Sequence, residues 1–315
     1  MNSILTTILP VFGLIVLGYI FAWAKIIDAT AGRGLALFVF NVAIPAFLFR
    51  TMATMGPSEG APWGLWAAFF GGLAIVWITA AVVSKKVNSL NFSGGASASM
   101  ATGFGNVGLL GAPLAIAHFG DAVGVPLGLI LSIHSPILWT AATLQRELAR
   151  NEAGLHWKSV GRELIRNLGR NAIVVAVLAG VFWRFTGIGL HPIPDKTLSM
   201  LADSSVPTAL FALGVSLSSY SLKGSWSGTL ILVGLKMLLA PFVVFILSHF
   251  VFVVPPLWSK IAVLFASMPT GANAFLFAQR NEEAVPAVSG AVAAGTALSA
   301  VTATLLLYLM DSGWI

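Results

Sequence analysis

Two short stretches of this chain hold the residue types that could bind a charged ligand inside an apolar protein. Gly105-Asn106-Val107-Gly108, with Pro113 just beyond, interrupts the apolar segment Ser93 to Phe119; Pro269-Thr270-Gly271-Ala272-Asn273 interrupts a second, Ser259 to Arg280. Glycine costs helix stability and proline removes a backbone donor, so neither segment reads as a continuous helix. An interrupted helix leaves backbone N–H groups free and ends in a positive half-helix terminus, and both favour a carboxylate. Asn106, Thr270 and Asn273 add neutral hydrogen-bonding groups without fixed charge. Gly105, Asn106, Thr270, Gly271 and Asn273 are therefore the substrate-binding candidates, and Gly108, Pro113 and Pro269 the hinge candidates. One such break is often only a kink. Two at matched positions are the pattern of a transporter whose discontinuous helices meet at a midplane site.

Other chemistry finds little support. A serine hydrolase needs a paired His or Lys base, and an intramembrane aspartyl protease needs two opposed Asp; Ser289-Gly290 is a weak match, and only Asp203 lies well inside an apolar segment. His134 has no second His or carboxylate at helical spacing and His118 has one carboxylate only, Asp121, so no clustered ligand set and no metal site is expected; His134, before Ser135 and Pro136, reads as a helix-packing group. The chain has no Cys, which excludes thiolate sites and disulfides. Neither an enzyme nor a cofactor is expected.

The elements that must position these residues follow from composition. Of 315 residues 57% are hydrophobic and 9% charged, with a mean hydropathy of +0.92, against about 25% charged in soluble domains. The expected class is an all-α membrane protein. With about 20 apolar residues per span, ten transmembrane helices are read near Ile4–Trp23, Gly34–Phe49, Trp63–Ser84, Gly94–His118, Gly124–Leu144, Asn171–Phe185, Thr197–Tyr220, Gly228–Val253, Trp258–Ala278 and Pro286–Met310. The first has no preceding Lys or Arg and no clear cleavage site, so it reads as a retained helix.

Charge sets the orientation. One alternate set of loops carries Lys25, Arg33, Lys85, Lys86, Lys223, Arg280 and every basic residue of 146–170; the other carries Arg50, Arg184, Lys196 and Lys260. The positive-inside rule puts residues 146–170 in the cytoplasm and both termini outside. The net charge of +6 is thereby explained without nucleic acid. Residues 146–170 form a basic linker, in part a candidate interfacial amphipathic helix touching lipid. It separates a first five-helix repeat, 1–145, from a second, 171–315. The repeats show in FNVAIPAFLF and ADSSVPTALFALG, where Pro45 aligns with Pro207 and Asn41 with Asp203, and in the breaks of helices 4 and 9. Five is odd, so the second repeat is inverted relative to the first.

Pro45 and Pro207 read as scaffold kinks that also suit the flank of a cavity, and Asn41 as a bond to a neighbouring helix or a supporting group. Asp203 is either a proton or cation site or a carboxylate near the external interface. Lys236, deeper and before Pro241, needs a partner or a snorkelling route. It either pairs with Asp203, draws an anion inward, or serves structure.

Taken in order, FNVAIPAFLF, GFGNVGLLGAPL, DSSVPTALFALG, Lys236 ahead of Pro241 and ASMPTGANAFLFAQ resemble the auxin efflux carrier family, which includes plant auxin exporters and bacterial relatives such as malonate permeases. The resemblance spans nearly the whole chain. It implies two inverted five-helix repeats with helices 4 and 9 crossing at Pro113 and Pro269, a scaffold from the first two spans of each repeat, a mobile elevator domain from the other three, and a homodimer through the scaffold. It sets Asn106 at the family's polar position before the crossover proline and Asn273 just after the second. Asn171-Ala172 departs from the Asn-Pro that often opens helix 6 in relatives. The short linker resembles bacterial members and argues against control by loop phosphorylation.

Together these readings imply a secondary transporter in the bacterial inner membrane that moves a small organic anion, malonate or an auxin-like acid, by alternating access. The rival reading is a Na⁺- or H⁺-coupled symporter or antiporter using Asp203. A more remote one is a membrane sensor that transports nothing.

Overall fold

The computed structural model describes residues 2–55, 62–87, 94–150, 157–221 and 226–314. Lys223, Ser93 and residues 151–156 of the linker lie outside the described residues. The helices are α1 (Asn2–Trp23), α2 (Ala29–Phe38), α3 (Ile44–Thr54), α4 (Pro62–Val87), α5 (Gly94–Gly103), α6 (Ala112–Phe119), α7 (Gly124–Arg150), α8 (Trp157–Arg170), α9 (Ala172–Phe185), α10 (Pro192–Asp203), α11 (Ser205–Leu217), α12 (Trp226–Gly234), α13 (Ala240–Ile246), α14 (Pro256–Ser267), α15 (Ala272–Asn281) and α16 (Val285–Asp311). Each of the ten apolar stretches is helical over most of its length. Among the described residues seven helical stretches are long and apolar enough to cross a membrane, and an eighth arises if the bent pair Leu164–Arg170 and Ala172–Phe185 counts as one. The chain is an all-helical, multi-pass membrane protein.

Several boundaries differ from the sequence reading for local reasons. Helix α7 continues without interruption to Arg150, so the linker's first residues extend a helix rather than open a loop. Helix α8 occupies residues 157–170 of the basic segment, and its end from Leu164 meets α9 at 68°. That bend falls at Asn171, whose side chain accepts from the Ile173 N–H and caps α9. The asparagine does locally what a proline at the next position would otherwise favour.

Three prolines share one device. Pro45, Pro113 and Pro241 each stand at the start of a helix directly after a π-helical turn, Val39–Ala43, Val107–Gly111 and Leu235–Leu239 respectively. Proline lacks an N–H and clashes with the carbonyl four residues back, and a widened turn relieves both. Asn41 and Lys236 sit in two of these turns; Asn41 donates to the Leu37 carbonyl of its own helix at 2.8 Å. Pro207 is accommodated differently, near the start of α11 after α10 ends at Asp203 and Ser204 turns the chain.

The chain divides into two compact units. One comprises residues 1–62, 107–133 and 168–219. Its core is the contact of α1 with α11 and of α3 with α9. Helices α1 and α11 approach until backbone touches backbone: an added Cβ on Gly18 would strike the Phe211 carbonyl, and one on Gly214 the Ile15 carbonyl. Small residues permit such approach in membranes, where packing rather than the hydrophobic effect drives helix association. Arg50 joins α3 to α10 through Asp195, Nε to Oδ1 at 2.6 Å; both side chains are about a third exposed, so solvent screens the pair and it fixes geometry more than it adds stability.

The other unit comprises residues 63–106, 134–167 and 220–315. Helices α12 and α16 pack together, as do α13 and α14, and α5 touches α15, α12 and α16. Trp77 on α4 donates its indole N–H to Gln145 Oε1 on α7 at 2.6 Å, tying those helices.

Close α1–α11 packing predicts that Gly214→Val lowers the melting temperature of detergent-purified protein, with a destabilisation of about 1–3 kcal/mol from overpacking. Gly13→Ala, in the same α1 but with nothing within 4 Å of the new Cβ, is expected to be neutral or stabilising by up to about 1 kcal/mol. A melting curve for each variant decides between backbone contact and mere helix propensity.

Candidate functional site

Helix α5 ends at Gly103 and α14 at Ser267, and beyond those ends the two segments meet. Gly105 and Thr270 form an antiparallel bridge. The Asn106 N–H donates to the Pro269 carbonyl at 2.7 Å, and the Gly271 N–H to the Phe104 carbonyl at 2.8 Å. This is the non-hydrogen-bonded register of an antiparallel pair, in which the flanking residues exchange the bonds and the central two aim their own N–H and C=O outward. Unwound backbone at membrane depth survives only where such bonds, or a wet cavity, replace the lost helical ones.

Side chains fasten the pair. Thr270, buried, donates its hydroxyl to the Ala101 carbonyl in the last turn of α5 at 2.8 Å. Toward a ligand that oxygen can then only accept. Lys236, 1% exposed, donates Nζ to the Ala266 carbonyl in the last turn of α14 at 2.7 Å. A Cβ on Gly105 would lie 3.1 Å from Lys236 Nζ and 3.3 Å from the Phe265 carbonyl. Glycine at 105 is thus what lets the ammonium and the pair come together. The Phe104 ring lies 4.7 Å from that of His134, tilted against it by 58°, and His134 also meets Phe69 at 6.0 Å.

The structure accordingly brings Gly105, Asn106, Pro269, Thr270 and Gly271 into one pairing, with Lys236 beside it. Asn106 is buried; Asn273 is half-buried in the first turn of α15, whose N-cap is Gly271. Gly108 lies in the π-helical turn that follows the first break, where a Cβ would strike the Phe40 ring, and Pro113 opens α6 after that turn. The bonded crossing itself falls at Phe104–Asn106, ahead of both. Asp203 ends α10, exposed, with Ser199 Oγ 3.5 Å from its Oδ2. Among the described residues no three His, Cys, Asp or Glu are grouped to hold a metal.

From sequence His134 reads as a packing group, and its ring does pack. Its buried Nε2, however, has no hydrogen-bond partner among the described residues. The usable signal is general: an ionisable residue within an apolar helix is a functional candidate by default. The Ala266 carbonyl, the acceptor for Lys236, cannot be picked out from sequence.

The model of the family described as Membrane transport protein matches residues 3–307. This chain belongs to that family. A relative from Rhizobium meliloti (strain 1021), named "Putative malonate transporter", is 28% identical over 99% of this chain and 98% of its own length. An "Uncharacterized transporter" of Methanothermobacter thermautotrophicus is 25% identical over 95% of this chain and 96% of its own. "Auxin efflux carrier component 8" of Arabidopsis thaliana is 22% identical, covering 98% and 97%. The likeness to auxin efflux carriers and malonate permeases read from the motifs therefore holds across nearly the whole chain, and the family it belongs to is one of membrane transporters rather than of enzymes.

Thr270 fastens α5 to the second break through a buried hydrogen bond, so Thr270→Val, nearly isosteric, is expected to cost about 0.5–1.5 kcal/mol. Thr270→Ser, which keeps the hydroxyl, is expected to retain most of it. Parallel thermal melts give the comparison; equal melting of the valine variant and the parent would remove the fastening role.

Proposed function

We propose that this protein is a secondary carrier for a small organic anion, a mono- or dicarboxylate such as malonate or an auxin-like acid, held at the crossing of residues 104–106 and 269–271. The observation that carries the reading is the start of α15 at the crossing: its N-cap, Gly271, is itself a member of the bonded pair. The first N–H groups of a helix lack intrahelical acceptors, and the dipole makes that end positive. Asn106 and Asn273 add neutral amides, and the outward-facing Thr270 backbone completes a polar lining without a fixed negative charge, while the Gly105 N–H turns back to the Gly103 carbonyl. Such a set suits a carboxylate better than a cation. Two relatives named for malonate and for auxin agree with that chemistry.

The same reading includes ten spans as two inverted five-helix repeats, residues 1–145 and 171–315, joined by the basic linker 146–170. An antiparallel crossing is what two halves inserted with opposite orientation produce. Helices of the first two spans of each repeat would serve as the scaffold of a homodimer, while the remaining spans carry the site between the two sides in an elevator motion. Gly108, Pro113 and Pro269 act as hinges in this scheme, Pro45 and Pro207 as scaffold kinks, and Asn41 as a supporting group. The basic linker faces the cytoplasm and lipid headgroups, both termini face outward, and the membrane is the bacterial inner membrane. Transport needs no cofactor.

The test is a thermal-shift screen of detergent-purified protein against mono- and dicarboxylates, malonate among them, with Asn106→Ala and Asn273→Ala alongside. A ligand at about a hundred times its Kd stabilises by about 2.7 kcal/mol. The expected result is stabilisation by one class of acid that both substitutions abolish. Stabilisation by Na⁺ or by acid pH instead, cancelled by Asp203→Asn, would replace the anion carrier with a cation-coupled one.

A further inference from the structure

The crossing gathers helix ends of both signs. Helices α5 and α14 terminate there, each bringing the partial negative charge of its last carbonyls, whereas α15 begins there with its positive end. The positive end can meet a carboxylate. The two negative ends need something else, because a buried, uncompensated partial charge is costly.

The terminal carbonyls with a bonded partner show where compensation comes from. On α5, the Met100 carbonyl accepts the Phe104 N–H, the Ala101 carbonyl the Thr270 hydroxyl and the Gly103 carbonyl the Gly105 N–H. On α14, the Leu264 carbonyl accepts the Ser267 hydroxyl, and the Phe265 carbonyl accepts the Met268 N–H. All five donors are neutral. The Ala266 carbonyl alone among these takes its bond from an ammonium, Lys236 Nζ at 2.7 Å. Lys236 reaches it from a π-helical turn that packs against both α5 and α14, and the absence of a side chain at Gly105 leaves the room. None of the ion pairs among the described residues includes Lys236.

We infer that Lys236 is a resident cation of the crossing: its ammonium neutralises the converging negative ends of α5 and α14, the task a bound metal ion would otherwise perform. The chain carries this charge covalently. The consequence for transport is that the paired breaks hold their geometry without Na⁺ or K⁺, and that the anion meets a site whose negative ends are already offset. Lys236 acts as a positioning residue, through the backbone rather than by touching substrate. This consequence rests on the crossing being the anion site, but the experiment below needs no carboxylate and so fails or succeeds independently of that reading.

Parent, Lys236→Ala and Lys236→Met are purified in N-methylglucamine buffer free of Na⁺ and K⁺, then melted with added Na⁺, methylammonium or ethylammonium chloride. Parent Tm is expected to be indifferent to these ions. Lys236→Ala, which removes charge and volume together, is expected to melt lower by roughly 5 °C or more and to regain most of the loss with a small alkylammonium or Na⁺. Lys236→Met fills the space with an uncharged chain and is expected to melt lower without rescue. Amide hydrogen exchange at 104–106 and 269–274 is expected to speed up in Lys236→Met while the rest of the chain stays protected. That readout stands alone if the alanine variant does not fold. A methionine variant with parental Tm and parental exchange at the crossing would overturn the inference, as would an alanine variant that no monovalent cation restores.

Discussion

A chain that leaves its helix inside a bilayer must find every hydrogen bond it gave up. Here two segments do so at once, and each satisfies the other: the Asn106 N–H with the Pro269 carbonyl, the Gly271 N–H with that of Phe104. Most other features near the site follow from this exchange. Residue 105 must be small enough for Lys236 and the Phe265 carbonyl to close in, Thr270 must spend its proton on α5, and α15 must start where the pairing stops. The polar lining is a by-product of a register in which the central pair faces outward.

The two units differ in how they cohere. Residues 1–62, 107–133 and 168–219 are held by glycine-mediated backbone approach between α1 and α11 and by α3 against α9. At Gly18 and Gly214 no side chain separates the two backbones. Residues 63–106, 134–167 and 220–315 contain the crossing with both of its breaks, π-helical turns on either side of α13, and buried polar side chains that bond across helices. A ligand site built on interrupted helices needs this second kind of cohesion, because each interruption exposes backbone that a neighbour has to satisfy.

Much of this was legible in the sequence, because glycine and proline crowded into an apolar segment force its helix to stop there. Together with asparagine they located both breaks, with Gly105, Asn106, Thr270 and Gly271 in the bonded pairing, and hydropathy located the helical stretches. The place of the crossing was not legible. Proline chemistry points to Pro113, yet its effect is absorbed by a π-helical turn, and the bonds form where Phe104 to Asn106 have no competing helical partner. Nor could spacing reveal that Arg50, a loop charge by sequence, reaches Asp195 far along the chain. Lys236 was visible as an anomaly only. Its acceptor is a main-chain carbonyl of an alanine, and a carbonyl has no signature in a sequence.

The bonds that join the two breaks run from main chain to main chain, so they make almost no demand on residue identity beyond compactness at Gly105 and Gly271. The side chains of Asn106 and Asn273 take no part in those two main-chain bonds. In the carrier proposed above, a lineage could therefore exchange the groups that choose the cargo one at a time while the joint stays intact. Divergence to between a fifth and a third identity along full-length relatives is the scale of change such a division of labour tolerates.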